Sequence, residues 1–233
     1  MRQPTSSQAV DQLETAPERT RVVYAHRFSE VDVAAKDVVW REVTPYLQRY
    51  LVPNASVMDV GCDRGYFIRN VVASEKWAAD VRDVREDLPD DVKFVQASGL
   101  RLDRHVPTDY FDHVFMSNYL EHLPSGDAVI EQLAVAARLL RTGGRVMILQ
   151  PNIRLVGGAY WDFIDHKTPL TERSLVEAAE LAGLRTRVLI TRFLPYTTKS
   201  RFPIHPLLVR AYLAIRPAWL LLGRQTLYVG EKR

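Results

Sequence analysis

What this sequence has little of sets its first limits. Cys62 is its one cysteine among 233 residues, so no internal disulfide can form, and a reducing compartment such as the cytoplasm is the expected setting. Residues 1–20, "MRQPTSSQAVDQLETAPERT", lack the apolar stretch of a signal peptide and are expected to form a polar tail outside the fold. The most apolar late stretch is interrupted by Arg216 and Pro217, which leaves it too short to span a bilayer. Acid is scarce at one end: ten lysines and arginines but a single acid, Glu231, follow residue 183, whereas 21 basic and 27 acidic residues precede it. The net charge of +3 therefore hides an acidic body and a basic C-terminal stretch, a split that points to a local anionic partner such as a phosphate, a nucleic acid or a membrane surface.

What is present fits one globular domain over residues 21–233, with 47% hydrophobic and 25% charged residues. From Ser29 to Tyr50, Val31, Ala34, Val38, Val39, Val43, Tyr46 and Leu47 recur near helical spacing and predict an amphipathic helix. Short apolar runs at 56–60, 92–96, 113–117 and 145–149 read as parallel strands covered on both faces. A helix is predicted over Asp127–Leu140, closed by the glycines of "TGG" at 142–144, and another over 171–184, opened by a capping-type Thr171. Two late strands, "RTRVLITRF" and "QTLYVGEKR", complete a doubly wound, Rossmann-like α/β pattern with an N-terminal helix. Ligands of such sheets sit beyond the C-terminal strand ends, near the point where strand order reverses.

The stretch "VMDVGCDRGYF", 57–67, is expected to run from a strand through a glycine turn into a helix. A dinucleotide fingerprint starting at Gly61 would need glycine at 63 and 66, where Asp63 and Tyr66 stand. A carboxylate at the bend would also repel a pyrophosphate. S-adenosylmethionine, with a sulfonium and an ammonium against one carboxylate, tolerates an acidic loop.

Four ordered segments carry a resemblance: "VMDVGCDRGYF", the acid ending "AAD" at 78–80, "FDHVFMSNYLEHLP" at 111–124 and "RLLRTGGRVMILQPN" at 138–152. Together they resemble the class I S-adenosylmethionine-dependent methyltransferases. The resemblance implies a seven-stranded sheet whose last strand is antiparallel, and S-adenosylmethionine as cofactor. It also implies that Asp59, Gly61 and Gly65 surround the methionine portion, and that Asp80 accepts from the two ribose hydroxyls, with Asp83 as a nearby competitor. Ser117 and Asn118 fall at the strand end lining the cofactor. Two positions depart from the family pattern: Asp63 replaces the middle glycine of the loop, and Ser98 stands where an acid often meets the adenine.

On the acceptor side the resemblance points to two catalytic candidates. His166, in "YWDFIDHKTPLT", lies among aromatics with Asp165 adjacent and is the preferred base, and His122 of "EHLP" is the second. His26 belongs to a segment that would fold over the site as a lid. Similar methyltransferases of ubiquinone synthesis and small-RNA 3′ ends place a second glutamate where this chain has Asn118, so Glu121 and His122 read as half a metal site and no metal is expected. The expected function is methylation, at oxygen, of a small-molecule or lipid-linked acceptor in a biosynthetic pathway. The alternatives are a cofactor-binding relative without methyl transfer and an RNA methyltransferase, though no RNA-binding motif accompanies the basic charge. The basic, apolar insertion at 195–224 reads as a helical cover or oligomer face, or as a peripheral contact with an anionic membrane.

Overall fold

The computed structural model describes residues 30–196 and 204–233. The N-terminal tail, His26, Lys199 and Arg201 lie outside the described residues. Helix α1 (Glu30–Leu47) gives way to a short 3-10 turn and then to β1 (Ser56–Val60), β2 (Glu75–Asp80), β3 (Val92–Gln96) and β4 (Phe111–Ser117). Helix α2 (Gly126–Leu139) leads into β5 (Leu140–Pro151), followed by the short α3 (Ile153–Val156), α4 (Glu172–Leu181) and β6 (Leu184–Ile190). Helices α5 (Pro206–Ala214) and α6 (Arg216–Leu222) precede β7 (Gln225–Lys232). The strands form one sheet in the order β3-β2-β1-β4-β5-β7-β6, in which only β7 runs antiparallel to its neighbours. Strand order reverses between β1 and β4, so ligand chemistry is expected at their C-terminal ends.

Alternation along the strands divides the core between two faces. Met58, Val60, Val114 and Met116 pack with Leu133 and Ala136 of α2. Val57, Phe115 and Met147 turn the other way, toward Val43 and Leu47 of α1 and Trp219 of α6. Phe115 stacks on Phe67 at 3.7 Å, which pins the chain just beyond the glycine turn against the sheet. Helix α2 starts where Ser125 caps the Ala128 amide, and α4 starts with a capping box between Thr171 and Ser174.

Three places differ from the sequence expectation. Gly143 and Gly144 do not close α2, which ends at Leu139 with Leu140 already extended, but lie inside β5. No helix follows the glycine turn: residues 64–70 form successive turns, with Arg69 N–H donating to the Gly65 carbonyl and Asn70 and Val71 N–H to that of Phe67. Only residues 61–74 join β1 to β2, and the glycine turn occupies their first part. Too little chain remains to offset helix nucleation. Strand β2, in turn, carries only Trp77, Ala78 and Ala79 as apolar residues, too few to stand out as an apolar run.

Candidate active site

The turn after β1 is a run of alternate left-handed residues, with φ of +69° at Gly61, +52° at Asp63 and +69° at Gly65. A Cβ at Gly61 would stand 2.4 Å from the Tyr119 ring, so that position needs glycine for space as well as for φ, whereas one at Gly65 would meet only the end of the movable Leu88 side chain, at 2.3 Å, and φ is what favours glycine there. Asp63 adopts the conformation that glycine would take there, and aspartate is among the few other residues that tolerate it. The Gly61 and Cys62 amides donate to the Ala79 carbonyl, at 2.8 and 3.1 Å, which ties the turn to the end of β2. Asp59, 4% exposed behind the turn, accepts from the Ile68 amide, and burial pushes its carboxyl up to about 8.

Asp80 ends β2 with both carboxylate oxygens engaged. Oδ1 accepts from the Arg82 amide (2.9 Å) and Arg82 Nε (3.1 Å), and Oδ2 accepts from the Asp63 amide (3.1 Å) and Arg82 Nη2 (3.1 Å). Arg82 Nη2 also donates to Asp63 Oδ1 at 2.9 Å, and Lys36 of α1 lies 3.8 Å from Asp63 Oδ2. The carboxylate at the bend thus has internal cationic partners, where the sequence supplied only a ligand-based reason to tolerate it. Asp83, the competitor for the ribose contact, is exposed and accepts from the Arg85 amide.

Beyond β3, Ser98 is 9% exposed, and the next residue, Gly99, has the Tyr119 hydroxyl 2.4 Å from where its Cβ would be. Tyr119 therefore wedges between the turns after β1 and β3, its hydroxyl donating to Gln132 Oε1 at 2.9 Å, and burial raises its phenol. Ser117 and Asn118 close the β4 end, where Asn118 Nδ2 donates to Ser117 Oγ at 3.0 Å. All these groups gather at one edge of the sheet.

A second cluster adjoins that edge. The loop after α3 is stitched to the turn at Leu120–His122 by the Lys167 and Thr168 amides, which donate to the Glu121 carbonyl at 2.8 and 3.1 Å. Thr168 Oγ1 also donates to the Leu123 carbonyl at 2.6 Å. This brings His166 within 5.1 Å of His122, ring to ring, with Tyr160 at 4.7 Å and Phe163 at 5.0 Å from His166. The sequence pairs Asp165 with His166 by adjacency, but in the fold Asp165 Oδ2 lies 3.3 Å from Nδ1 of His122. Glu121 is 1% exposed, its Oε2 has no hydrogen-bond partner among the described residues, and burial pushes its carboxyl up to about 7. Ligand atoms of Glu121, His122 and His166 all lie within 4.8 Å of one another, so the half site of the sequence gains a third member.

Residues 33–188 match the model of a methyltransferase domain, about two thirds of the chain. The chain belongs to the class I methyltransferase family. It is an enzyme whose methyl donor is S-adenosylmethionine, and the turn at Gly61–Gly65 with Asp80 beside it suits that donor: a tight turn whose two ends carry no Cβ, next to a buried carboxylate. Several solved structures share the fold. A methyltransferase in complex with the Trm112 methyltransferase activator of Haloferax volcanii is 19% identical, with TM-score 0.62, covering 88% of this chain and 98% of that one. A SAM-dependent methyltransferase of Archaeoglobus fulgidus is 19% identical, with TM-score 0.59 and coverages of 82% and 94%. The geranyl diphosphate C-methyltransferase of Streptomyces coelicolor A3(2) is 13% identical, with TM-score 0.59 and coverages of 82% and 77%. No curated protein sequence matches the chain.

Within this methyltransferase the structure brings Gly61, Gly65, Asp80, Ser98, Ser117 and Asn118 to one edge, and His122 and His166 to the adjoining cluster. Sequence reasoning missed Arg82, Tyr119 and Lys36. Arg82 had a local signal, since it lies two residues beyond the expected ribose acid. Tyr119 and Lys36 had none, because their partners are distant in the chain.

Proposed function

We propose that the protein is a cytoplasmic O-methyltransferase acting on a small or lipid-linked acceptor in a biosynthetic pathway, built as one domain over residues 21–233. The supporting observation is the His122–Asp165 pair beside the cofactor edge. S-adenosylmethionine supplies an electrophilic methyl group. The protein then has to hold the acceptor oxygen in line, about 3 Å from the methyl carbon, and remove its proton. A proton on His122 Nδ1, oriented by Asp165, leaves Nε2 as the acceptor nitrogen, the arrangement a general base needs. His166 packs tilted against Tyr160 and Phe163, so aromatic rings back the cluster where the acceptor is placed in this reading. Asp80 is the ribose ligand in this reading, with Gly61 and Gly65 around the methionine portion and Ser98, Ser117 and Asn118 along the same edge.

Native mass spectrometry of the purified enzyme, followed by turnover assays on the acceptor it reveals, tests the proposal. His122→Ala is expected to lower turnover by about 100-fold or more while calorimetry gives an unchanged affinity for S-adenosylhomocysteine. Near-normal turnover in this variant with a large loss in His166→Ala would exchange the two roles. Full turnover in both would mean an acceptor that needs no base, and the O-methylation reading would fall.

A second reading rests on Glu121. A buried carboxylate oxygen without a donor, set between two imidazoles, suits a bound divalent cation as well as a proton. In that reading Glu121, His122 and His166 would hold the cation, and a cation there would supply Lewis-acid lowering of the acceptor hydroxyl's pKa. Calorimetric titration of the acceptor-free enzyme with Zn2+ or Mn2+ separates the two. Binding that disappears in Glu121→Gln supports the cation, and no binding leaves the base.

A further inference from the structure

Helices α5 and α6 turn few of their apolar residues inward. Leu213 and Trp219 are buried, Trp219 against Tyr46 and Phe193, whereas Leu207, Leu208, Ile215, Leu220, Leu221 and Leu222 are 53–77% exposed. Six large aliphatic side chains exposed within sixteen residues are more than the isolated apolar residues that any protein surface carries. Behind α6 lies an open cleft of about 730 Å³, lined mainly by apolar atoms of Val188, Ile190, Trp219 and Leu220, with Arg192 and Arg216 in the same wall. That volume is of the size that ligand pockets commonly have.

The charges around this face select its partner. Glu231, the single acid after residue 183, is held by Arg145, Arg185 and Arg187, and Arg210 is held by Glu42. Among the described residues, no carboxylate pairs with Arg192, Arg216 or Arg224. Arg216 is exposed beside the leucines, its guanidinium 5.9 Å from the Trp219 ring. A face that combines exposed leucines with cations lacking carboxylate partners matches an interface that is apolar below and anionic above. No described helix is long and apolar enough to cross a membrane, so contact would be in the plane of the surface. Arg224 donates to the Leu155 carbonyl and joins the end of α6 to the loop carrying Trp161 and Ile164, which are also exposed.

We propose that α5, α6 and the cleft behind α6 dock on an anionic phospholipid bilayer. The leucines enter the boundary between headgroups and acyl chains, and Arg192 and Arg216 meet lipid phosphates. This docking goes beyond the methyl-transfer reading and does not depend on which acceptor is methylated.

Cosedimentation of the full chain with vesicles tests it directly. Binding is expected to be roughly tenfold or more tighter to phosphatidylcholine vesicles containing phosphatidylglycerol than to phosphatidylcholine alone, and to weaken as salt rises. Leu221→Glu/Leu222→Glu should abolish binding, and Arg192→Gln/Arg216→Gln should remove most of the preference for anionic lipid. Both variants should keep their circular dichroism and their affinity for S-adenosylhomocysteine, which reports folding separately from docking. Absence of binding to anionic vesicles at low salt overturns the proposal. So does sedimentation velocity showing that the wild type self-associates through this face while the leucine variant becomes monomeric and vesicle binding is unchanged.

Discussion

At the end of β2 the two oxygens of Asp80 receive four donors, whereas on the acceptor side Glu121 keeps a buried oxygen with no donor. The first arrangement is a closed circuit in which the turn, its carboxylate and Arg82 satisfy one another. The second is open, a carboxyl held up at about 7 by burial between two histidines. A carboxylate has about four lone-pair positions, so ribose hydroxyls can take Asp80 only by displacing donors already there. In the proposed roles, the cofactor side would bind by exchange of partners, and the acceptor side by completion of a missing one.

The largest expected effect tests how tightly the closed side is built. Gly61→Ala puts a Cβ 2.4 Å from the Tyr119 ring and a non-glycine residue at φ +69°, at a combined cost of about 2 kcal/mol or more in stability, measured by urea unfolding. In a Tyr119→Ala background the same substitution should cost less, because the clash is gone and only the backbone term remains. An equal cost in both backgrounds would mean that the turn relaxes away from Tyr119 and that the wedge is not tight.

Next comes the exchange itself. Asp80→Ala should weaken S-adenosylhomocysteine binding by about 1.5 to 3 kcal/mol, through loss of charge-assisted hydrogen bonds. Arg82→Gln should move the other way and tighten binding severalfold, since it removes a competitor for the same oxygens. Calorimetry on both variants decides the matter. If Arg82→Gln loses as much affinity as Asp80→Ala, Arg82 orients the carboxylate and the exchange idea is wrong.

The same contrast explains what could be read from the sequence. Strands β1, β4 and β5 and the glycine positions were legible because each depends on local features: short apolar runs for the strands, and residues at 61 and 65 that must turn left-handed. The helix expected after the turn was illegible because its absence is a matter of chain length between β1 and β2, not of residue preference. The acceptor cluster was half legible. His122 and His166 stand in recognisable segments, but 43 positions separate His122 from Asp165, and hydrogen bonds of the Lys167 and Thr168 amides to the Glu121 carbonyl and of Thr168 Oγ1 to the Leu123 carbonyl bring those segments together. Arg210 illustrates the same limit. Its charge was visible, but its pairing with Glu42 of α1, 168 positions away, was not.

The smallest expected effect concerns Asp63, where two opposing contributions nearly cancel. Glycine at this position would relieve a left-handed backbone that costs an ordinary residue roughly 1 to 2 kcal/mol and aspartate less. It would also remove the contacts to Arg82 at 2.9 Å and Lys36 at 3.8 Å, partly exposed ion pairs worth about 0 to 1 kcal/mol. Asp63→Gly is therefore expected to change unfolding stability by no more than about 1 kcal/mol. Affinity for S-adenosylhomocysteine should be unchanged or slightly higher, because the Asp63 amide that meets Asp80 survives the substitution. Asp63→Asn separates the two contributions, since it keeps a residue that tolerates the turn while deleting the charge. A large loss of affinity in both variants would show that the carboxylate itself holds the cofactor, and the closed circuit would then have to open at Asp63 as well as at Asp80.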